Sequence, residues 1–443
     1  MSIAPSFFLW PRHHEYSLGV ITISTLLQVW ACVGLRCVEK VLQILTVFFP
    51  LFQSTPSYSS SRLWLLRVGY YKLKRPKQIA DDWVWIVDFT IQAGCMKCLT
   101  ILGVRLSLLN NGRQDKTLCH EDMEPIEVFP VQQANGEIVY QHLKEAIQKT
   151  GIPRQIIADE GPDVKGGIQK FIHQYPQTDF IYDVKHFTAN LLERQFKNDL
   201  MWAEFTKWAS QTKSQLHQTA LSHLEPPNQR TKSRYMNMDI LVRWGLKILS
   251  FIDGLEKSVK TAIDIESIKK LDWVFQFREV LTEWNQILSL VQKTETFVRT
   301  NGFFPGCDGP LRELLSLESG ATQRAFRIRW ALIEYVLDTS LKAKPEECLL
   351  GSSEVIESVF GKFKYMQAEH AKGSLTGMVL AIPAMVSKTT EAVIQRAIET
   401  VPVHRVRSWI KEKFGKSAIA KRREAFADFK KQEQKPDQLL LSA

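Results

Sequence analysis

The sequence lacks the features of a secreted, disulfide-stabilised protein. Its seven cysteines are scattered over 443 residues without the spacing of a disulfide framework, which fits a reducing, cytoplasmic location, nucleoid-associated if the source is bacterial. Only Cys95 and Cys98 form a Cys-x-x-Cys pair. A structural zinc site needs a second pair or nearby histidines at matching spacing, and Cys119-His120 is a weak candidate for it. Residues 94–97 are more typical of a hairpin turn, so we expect no zinc here.

The sequence also lacks a convincing membrane anchor or signal peptide. Residues 18–35 are apolar and uncharged for nearly the length of a membrane span. No basic region followed by a small-residue cleavage site is present, which argues against a signal peptide. Four polar residues interrupt the run, namely Thr22, Ser24, Thr25 and Gln28. We therefore predict a buried helix and no membrane partner; the alternative is a membrane-anchored protein.

The composition indicates a folded protein with an anionic partner. Hydrophobic residues make up 45% of the chain and charged residues 23%, values typical of globular domains. A chain of 443 residues is too long for one core, so two or three domains are expected. Lysine and arginine exceed aspartate and glutamate by 57 − 47 = 10. An excess of this sign suits nucleic acid, because each neutralised phosphate releases counterions.

Residues 1–80 are predicted to form a helical domain. Apolar residues recur at helical spacing over 33–49, a break follows at 50–56, and a second helix runs from capping serines at 57 to Gly69. This outline is that of a helix-turn-helix-like DNA-binding domain, whose second helix enters the major groove. The alternative is a helical pair that only packs. The predicted DNA-binding residues are Ser59, Arg62, Arg67, Lys72, Lys74, Arg75 and Lys77.

Residues 81–190 change to a strand-rich pattern. Runs of β-branched and aromatic residues predict strands over 83–91, 98–104, 126–131, 155–159 and 179–183. Helices are predicted over 136–150 and 164–173. Three strands, helix, strand, helix, strand is an order that resembles the α/β ribonuclease H-like core with its mixed five-stranded sheet.

The rest of the chain is predicted to be almost entirely helical. Residues 191–345 form a large all-α insertion domain, whose tryptophans belong more often to a core than to a base-stacking surface. Residues 346–400 complete the core with a helix over about 352–371. Residues 401–443 form a basic helical tail, most simply a solvated face and a frayed end.

Acidic residues lie at comparable places in two predicted strands. Asp88 follows an apolar strand segment, and Asp159 ends the strand at 155–159. Groups at strand ends in an open α/β sheet project into the ligand crevice, and carboxylates there suit Mg²⁺. A third carboxylate is expected from the late helix, where Glu354 and Glu357 are the candidates. An aspartate after a strand is otherwise often a cap, which is how we interpret Glu160 and Asp163.

These residues resemble the catalytic region of DDE transposases. The likeness is to groups with a helical insertion before the glutamate, such as Mutator-like and hAT-like elements and their bacterial insertion-sequence relatives. A Cys/Asp-x-x-His signature follows the fifth strand there, and this chain has Asp183 and His186. The segment 352–360 resembles the family's glutamate motif, with Glu354 and Phe360 where the family has asparagines, and it selects Glu357. Lys364 matches a basic residue often found seven positions later.

The resemblance implies an activity and its partners. Asp88, Asp159 and Glu357 would be catalytic and would ligate two Mg²⁺ ions, with Mn²⁺ as a substitute, while Asp183, His186 and Lys364 support them. The implied enzyme is an endonuclease that cuts at transposon terminal repeats and joins the 3′-hydroxyl to target DNA, as a homodimer or higher oligomer on DNA. The alternatives are a ribonuclease H-like nuclease without joining activity and an inactive, transposase-derived DNA-binding protein.

Overall fold

The fold was analysed in a computed structural model. It describes residues 8–48, 54–91, 96–110, 113, 115–229, 235–255, 269–317, 320–368, 377–415 and 422–427. The chain divides into two compact units. Unit 1 contains residues 1–108, 118–180 and 353–443, and unit 2 contains residues 109–117 and 181–352. The predicted N-terminal domain, 1–80, is therefore part of the same unit as most of the strands.

A mixed five-stranded sheet is the framework of unit 1. Its strands follow the order β3-β2-β1-β4-β5, with β1 antiparallel to β2, β2 antiparallel to β3, and β1 parallel to β4. The predicted mixed sheet is confirmed, and the arrangement is consistent with a ribonuclease H-like core. The strand bounds are β1 Trp83–Ile91, β2 Lys97–Arg105, β3 Glu124–Val131, β4 Gln155–Ala158 and β5 Asp179–Tyr182.

Alternation along the strands decides which face is apolar. Successive side chains of a strand point to opposite faces, so Trp83, Trp85 and Val87 share one face of β1. They are buried together with Ile156 and Ala158 of β4. Two helices cover this face, α5 (Gly136–Thr150) and α6 (Pro162–Gln174), and contribute buried residues such as Leu143 and Phe171. The opposite face carries Ile86, Asp88 and Thr90.

The remaining helices of unit 1 come from both ends of the chain. The predicted break near residue 50 and the β1–β2 turn, including Cys95, lie outside the described residues. Short helix α4 (Leu106–Asn110) follows β2 at the boundary of the units. The others are α1 Leu18–Val29, α2 Leu35–Phe48, α3 Tyr58–Lys74, α13 Glu354–Ala368, α14 Ala381–Met385, α15 Glu391–Thr400 and α16 Val403–Phe414.

Helix α1 corresponds to the apolar run of the sequence. It is capped by Ser17, whose side chain accepts the amide of Val20. Two of its buried polar residues form hydrogen bonds inside the protein: the hydroxyl of Thr25 donates to the carbonyl of Ile21, and the amide of Gln28 donates to that of Ser24. The hydroxyls of Thr22 and Ser24 are buried without a hydrogen-bond partner among the described residues. In the part of the chain that the structure describes, no helix has the length and apolar character needed to cross a bilayer.

Helix α3 is the central helix of unit 1, and it continues past the predicted stop at Gly69. It contacts α1, α2, β3, α14, α15 and α16. At Gly69 a side chain would have its Cβ 1.8 Å from the carbonyl oxygen of Leu380, so the glycine serves close packing. The prediction that the helix ends there is wrong for this reason. Helix α3 is therefore enclosed over most of its length, and its exposed residues lie at its ends, with Tyr58 and Ser59 in the first turn and Lys74 in the last.

Unit 2 is helical. It contains an isolated bridge between Phe303 and Leu349, and its core is an aromatic cluster that includes Trp202, Trp273 and Trp284, all buried. Three of the six tryptophans of unit 2 are therefore core residues, whereas Trp208 is 38% and Trp330 is 57% exposed. The helix bounds are α7 Val184–Phe196, α8 Leu200–Leu216, α9 Met238–Leu255, α10 Arg278–Asn301, α11 Asp308–Leu314 and α12 Gln323–Ser340.

Candidate active site

The two predicted aspartates lie at matching positions of neighbouring parallel strands. In the pairing of β1 with β4, Ile86 is opposite Ile157. Asp88 and Asp159 each follow two residues later, so the register brings them to the same level on the same face of the sheet. Adjacent strands are about 4.8 Å apart, which is a separation at which two carboxylates share one polar environment. The two aspartates thus lie at the same end of two neighbouring strands, and that they form one catalytic site stays a prediction.

Each aspartate accepts a hydrogen bond from a backbone amide one or two residues after it. The Asp88 Oδ1 accepts a hydrogen bond of 2.6 Å from the amide of Phe89. The Asp159 Oδ1 accepts one of 3.1 Å from the amide of Gly161, in the turn that leads into α6. A Cβ at position 161 would lie 3.1 Å from the same oxygen. Glycine therefore leaves the Asp159 carboxylate the space it occupies, and both carboxylates are half-buried.

The third acid is carried by α13, which contacts β1. None of its residues belongs to the apolar cluster under α5 and α6, so its contact with β1 indicates the opposite, Asp88 face. The helix starts after the buried Ser353, whose carbonyl accepts the amide of Ile356 at 3.0 Å. Glu354 and Glu357 both lie in the first turn and are half-buried. Lys364 is exposed farther along the same helix.

The donor chemistry suits a hard cation, but the ligand set is incomplete. Carboxylate oxygens are the donors that Mg²⁺ prefers, and Asp88 presents them from β1 and Asp159 from the residue after β4. Among the described residues, however, no three His, Cys, Asp or Glu side chains are placed to hold one metal ion. Glu357 is therefore not assembled with the two aspartates as a ready ligand set, and its metal-ligand role stays a prediction.

His120 connects this helix to the segment before β3, a role that the sequence did not reveal. Its Nε2 lies 3.1 Å from the hydroxyl of Ser358, and Lys362 donates to its Nδ1 at 3.1 Å. Because a lysine only donates, Nδ1 is the acceptor and Nε2 carries the hydrogen. One ring thus ties two residues four apart on α13, next to Glu357. In the sequence, His120 stood out only as a weak zinc candidate.

Acidification is expected to weaken the His120 contact. Burial, and then the positive charge of Lys362, lower the pKa of His120. The unfolded chain, with a histidine pKa near 6.5, therefore takes up a proton first, and the free energy of unfolding falls as the pH drops through this range. The pKa values of His14 and His142 are also lowered, mainly by burial. We therefore expect the free energy of unfolding, measured with urea between pH 5 and 8, to depend less steeply on pH in His120→Gln than in wild type. Some dependence should remain in the variant, because His14 and His142 are still present. The exposed His173→Gln is the control, and identical slopes for all three proteins would contradict the assignment.

Asp183 and His186 belong to unit 2. Asp183 is fully buried after β5, and its Oδ1 accepts the backbone amide of His186 at 2.9 Å. The Asp-x-x-His spacing is thus the geometry of a helix N-cap for α7. Asp183 also raises the pKa of the buried Tyr335, although burial is the larger cause. The supporting role of Asp183 and His186 in catalysis stays a prediction.

Two of the predicted DNA-binding residues are internal, and the prediction is wrong for them. The guanidinium of Arg67 donates to the carbonyls of Val401 and Ile398, and burial lowers its pKa to about 10. Lys72 has no exposed surface, and burial lowers its pKa to about 7. Its Nζ is 2.7–3.0 Å from three carbonyl oxygens, of Ala384, Val386 and Ser387, and 2.6 Å from the Thr389 hydroxyl. These side chains join α3 to the C-terminal part of unit 1 and cannot reach a phosphate.

The other predicted DNA contacts are divided between internal and exposed positions. Arg75 and Lys77 form ion pairs with Glu124, and the Lys77 side chain is almost completely buried. Arg62 is half-buried, and burial lowers its pKa. Only Ser59 and Lys74 are exposed. The basic run after α3 is therefore mainly a set of internal contacts.

Comparison with known proteins gives little beyond the geometry. No family model and no curated protein matches the chain. Among solved structures, the chain is similar to the Drosophila P element transposase strand transfer complex, with a TM-score of 0.36 and 11% sequence identity. The match covers 91% of this chain and 94% of that chain. A likeness of this size carries no conclusion about the activity of this protein, which has to be argued from its residues.

Proposed function

We propose that this protein is a metal-dependent DNA transposase that cuts at transposon ends and joins the 3′-hydroxyl to target DNA. The observation that supports the proposal most strongly is the register of β1 and β4: Ile86 lies opposite Ile157, and Asp88 and Asp159 each follow two residues later, at the strand that α13 contacts. Two carboxylates at this place are difficult to explain as helix caps alone, since Asp88 lies within a strand. The motif around Glu357 and the basic excess of the chain also support it.

Asp88, Asp159 and Glu357 are the proposed ligands of two Mg²⁺ ions, for which Mn²⁺ can substitute. When bound, such ions stabilise the attacking and leaving oxygens of an in-line displacement at phosphorus. Because Glu357 is not assembled with the aspartates, we propose that binding of DNA and metal draws the first turn of α13 toward them. His120 holds the next turn of the same helix and limits this adjustment to the start of the helix.

The proposed chemistry has two steps at one site. Water first hydrolyses a phosphodiester at the element end, which frees a 3′-hydroxyl. That hydroxyl then attacks a phosphodiester of target DNA, and the target strand leaves with its own 3′-hydroxyl. The chain supplies orientation: the amide of Gly161 fixes Asp159, and that of Phe89 fixes Asp88. Neither step needs a serine, tyrosine or cysteine nucleophile.

The decisive experiment separates the two candidate glutamates. Labelled DNA carrying the ends of the chain's own element is incubated with Mg²⁺ and wild type, Glu357→Gln or Glu354→Gln. Both glutamates are in the first turn of α13, so each variant is a matched control for the other. We expect Glu357→Gln to lose cleavage and joining by at least about a thousandfold, because each 1.36 kcal/mol of lost transition-state stabilisation is tenfold in rate. Glu354→Gln should keep both steps.

The other outcomes distinguish the alternatives. If Glu354→Gln abolishes cleavage and joining instead, Glu354 is the third acid, and the alignment of segment 352–360 with the family's glutamate motif is wrong. Cleavage without joining of pre-cut ends would identify a nuclease of the same fold. Binding of the ends with neither step by wild type would instead identify a non-catalytic DNA-binding protein.

A further inference from the structure

The net charge of the chain is concentrated in its last part. Residues 403–435 contain 11 lysines and arginines and 4 aspartates and glutamates, a difference of 11 − 4 = 7. The whole chain has an excess of 10. Most of the charge that favours a polyanion therefore lies in a segment of 33 residues at the C-terminus, and not in the basic run after α3.

This segment begins with a helix that is anchored on unit 1. Helix α16 contacts α3 and β3, and it buries Val406 and Trp409. The Nζ of Lys413 lies 4.5 Å from the centre of the Phe129 ring on β3, a cation–π contact. Gly415 ends the helix at a φ of 62°, a left-handed conformation that favours glycine. The helix thus has a defined inner face and, opposite to it, a defined outer face.

The outer face of α16 is cationic. His404, Arg407 and Lys411 are exposed at spacings of three and four residues, which align them along one side of a helix. Arg405 is exposed beside them. Within the described part of the chain, none of these four side chains forms an ion pair or a hydrogen bond, whereas the side chains of Arg75 and Lys77 both pair with Glu124. We call His404, Arg405, Arg407 and Lys411 the α16 stripe.

A fifth exposed cation belongs to α3, the helix that α16 contacts. Lys74 is the exposed end of the basic run that was predicted to bind DNA. Burial lowers its pKa, and the charges of Lys149 and Lys413 lower it further, whereas Glu127 and Glu412, which form ion pairs with those two lysines, act in the opposite direction. The dimensions also suit a polymer, since α16, with 12 residues, is about 18 Å long.

We propose that the α16 stripe and Lys74 bind the phosphate backbone of duplex DNA without reading its sequence. The inference rests on the proposed function for the choice of DNA among polyanions. Guanidinium and ammonium groups on a helix surface contact phosphate oxygens and position a protein on DNA. The basic residues that follow in the sequence, such as Arg422 and Arg423, are exposed and add to the same charge.

The test compares two triple variants of equal charge change. Arg405→Gln/Arg407→Gln/Lys411→Gln removes the arginines and the lysine of the stripe, and glutamine keeps the helix propensity. Lys207→Gln/Lys247→Gln/Arg327→Gln removes three exposed helical cations of unit 2 as the control. Binding of a labelled 30-base-pair duplex is measured in a series of salt concentrations. Each lost phosphate contact lowers the slope of log K against log salt by about 0.9, so the stripe variant should lose up to about 3 in slope and at least about tenfold in affinity.

Every result decides the proposal. A loss confined to the stripe variant supports it, whereas equal losses in both variants, or none, overturn it. Preferential binding of single-stranded RNA by wild type, lost in the same variant, would replace DNA by RNA as the partner. If wild type binds through the stripe but never cleaves its element ends, the proposed function fails and the surface stands. If the stripe variant binds and cleaves DNA as wild type does, the proposed DNA-binding surface is wrong and the proposed function stands.

Discussion

Asp88→Asn is expected to abolish cleavage and joining while DNA binding and folding are retained. Asparagine has the same shape, and its carbonyl oxygen can still accept the amide of Phe89, so the strand is undisturbed. The lost charge is the one that, together with Asp159, would hold the metal ions. Loss of several kcal/mol of charge stabilisation corresponds to at least about a thousandfold in rate. The measurement is cleavage of labelled end DNA with Mg²⁺, alongside duplex binding and urea unfolding.

The matched control for this variant is Asp163→Asn. Asp163 lies in the first turn of α6, close in sequence to Asp159, but it forms an ion pair of 3.3 Å with Lys97. Its removal is expected to change cleavage little, because a partly exposed ion pair contributes at most about 1 kcal/mol. Nicking by Asp88→Asn at the wild-type rate would contradict the central assignment.

Lys72→Met is expected to lower the free energy of unfolding by at least about 3 kcal/mol. Methionine fills a similar volume but donates no hydrogen bond, so it leaves three carbonyls and the Thr389 hydroxyl without their buried donor. An unsatisfied buried acceptor costs about 1–3 kcal/mol. Lysine keeps hydrogens to donate whether the amine is charged or neutral, so its lowered pKa does not remove these contacts. Urea denaturation at pH 7.5 measures the loss.

Lys74→Met serves as the control for Lys72→Met. It lies two residues farther along α3 but is exposed, so its effect on the free energy of unfolding is expected to stay within about 0.5 kcal/mol. Equal stability of both variants would mean that the α3 basic run does not hold the C-terminal part of unit 1. A large loss in Lys72→Met alone would confirm that this lysine is structural.

The strands and their two aspartates were predictable from the sequence. Runs of β-branched and aromatic residues identified β1 and β4. The residues directly before the two aspartates, Val87 and Ala158, are buried, as expected for an apolar strand. The helix at 136–150 was also predicted at the bounds that the structure has, since Asn135 caps it and Gly151 follows it. These features depend on neighbours within a few residues, which a sequence displays directly.

What the basic residues of α3 contact was decided by the tertiary structure alone. Arg67 bonds the carbonyls of Ile398 and Val401, more than 300 positions away in the chain, and Gly69 gives space to Leu380. Local patterns cannot reveal such partners, because a lysine or arginine before a turn looks the same whether its acceptor is a phosphate or a distant carbonyl. His120 was missed for the same reason, as Ser358 and Lys362 lie on a helix far along the chain.

The sequence by itself therefore determined the mixed sheet, the helix at 136–150 and the positions of Asp88 and Asp159 along the chain relative to β1 and β4. Only the tertiary structure decided that α3 is a central helix and that α16 presents the exposed cations. The physical reason is that backbone propensity and alternation act over short distances, whereas burial of a charged side chain depends on acceptors from any part of the chain. Burial at Lys72, and exposure at Arg407 and Lys411, follow from packing between the two ends of unit 1.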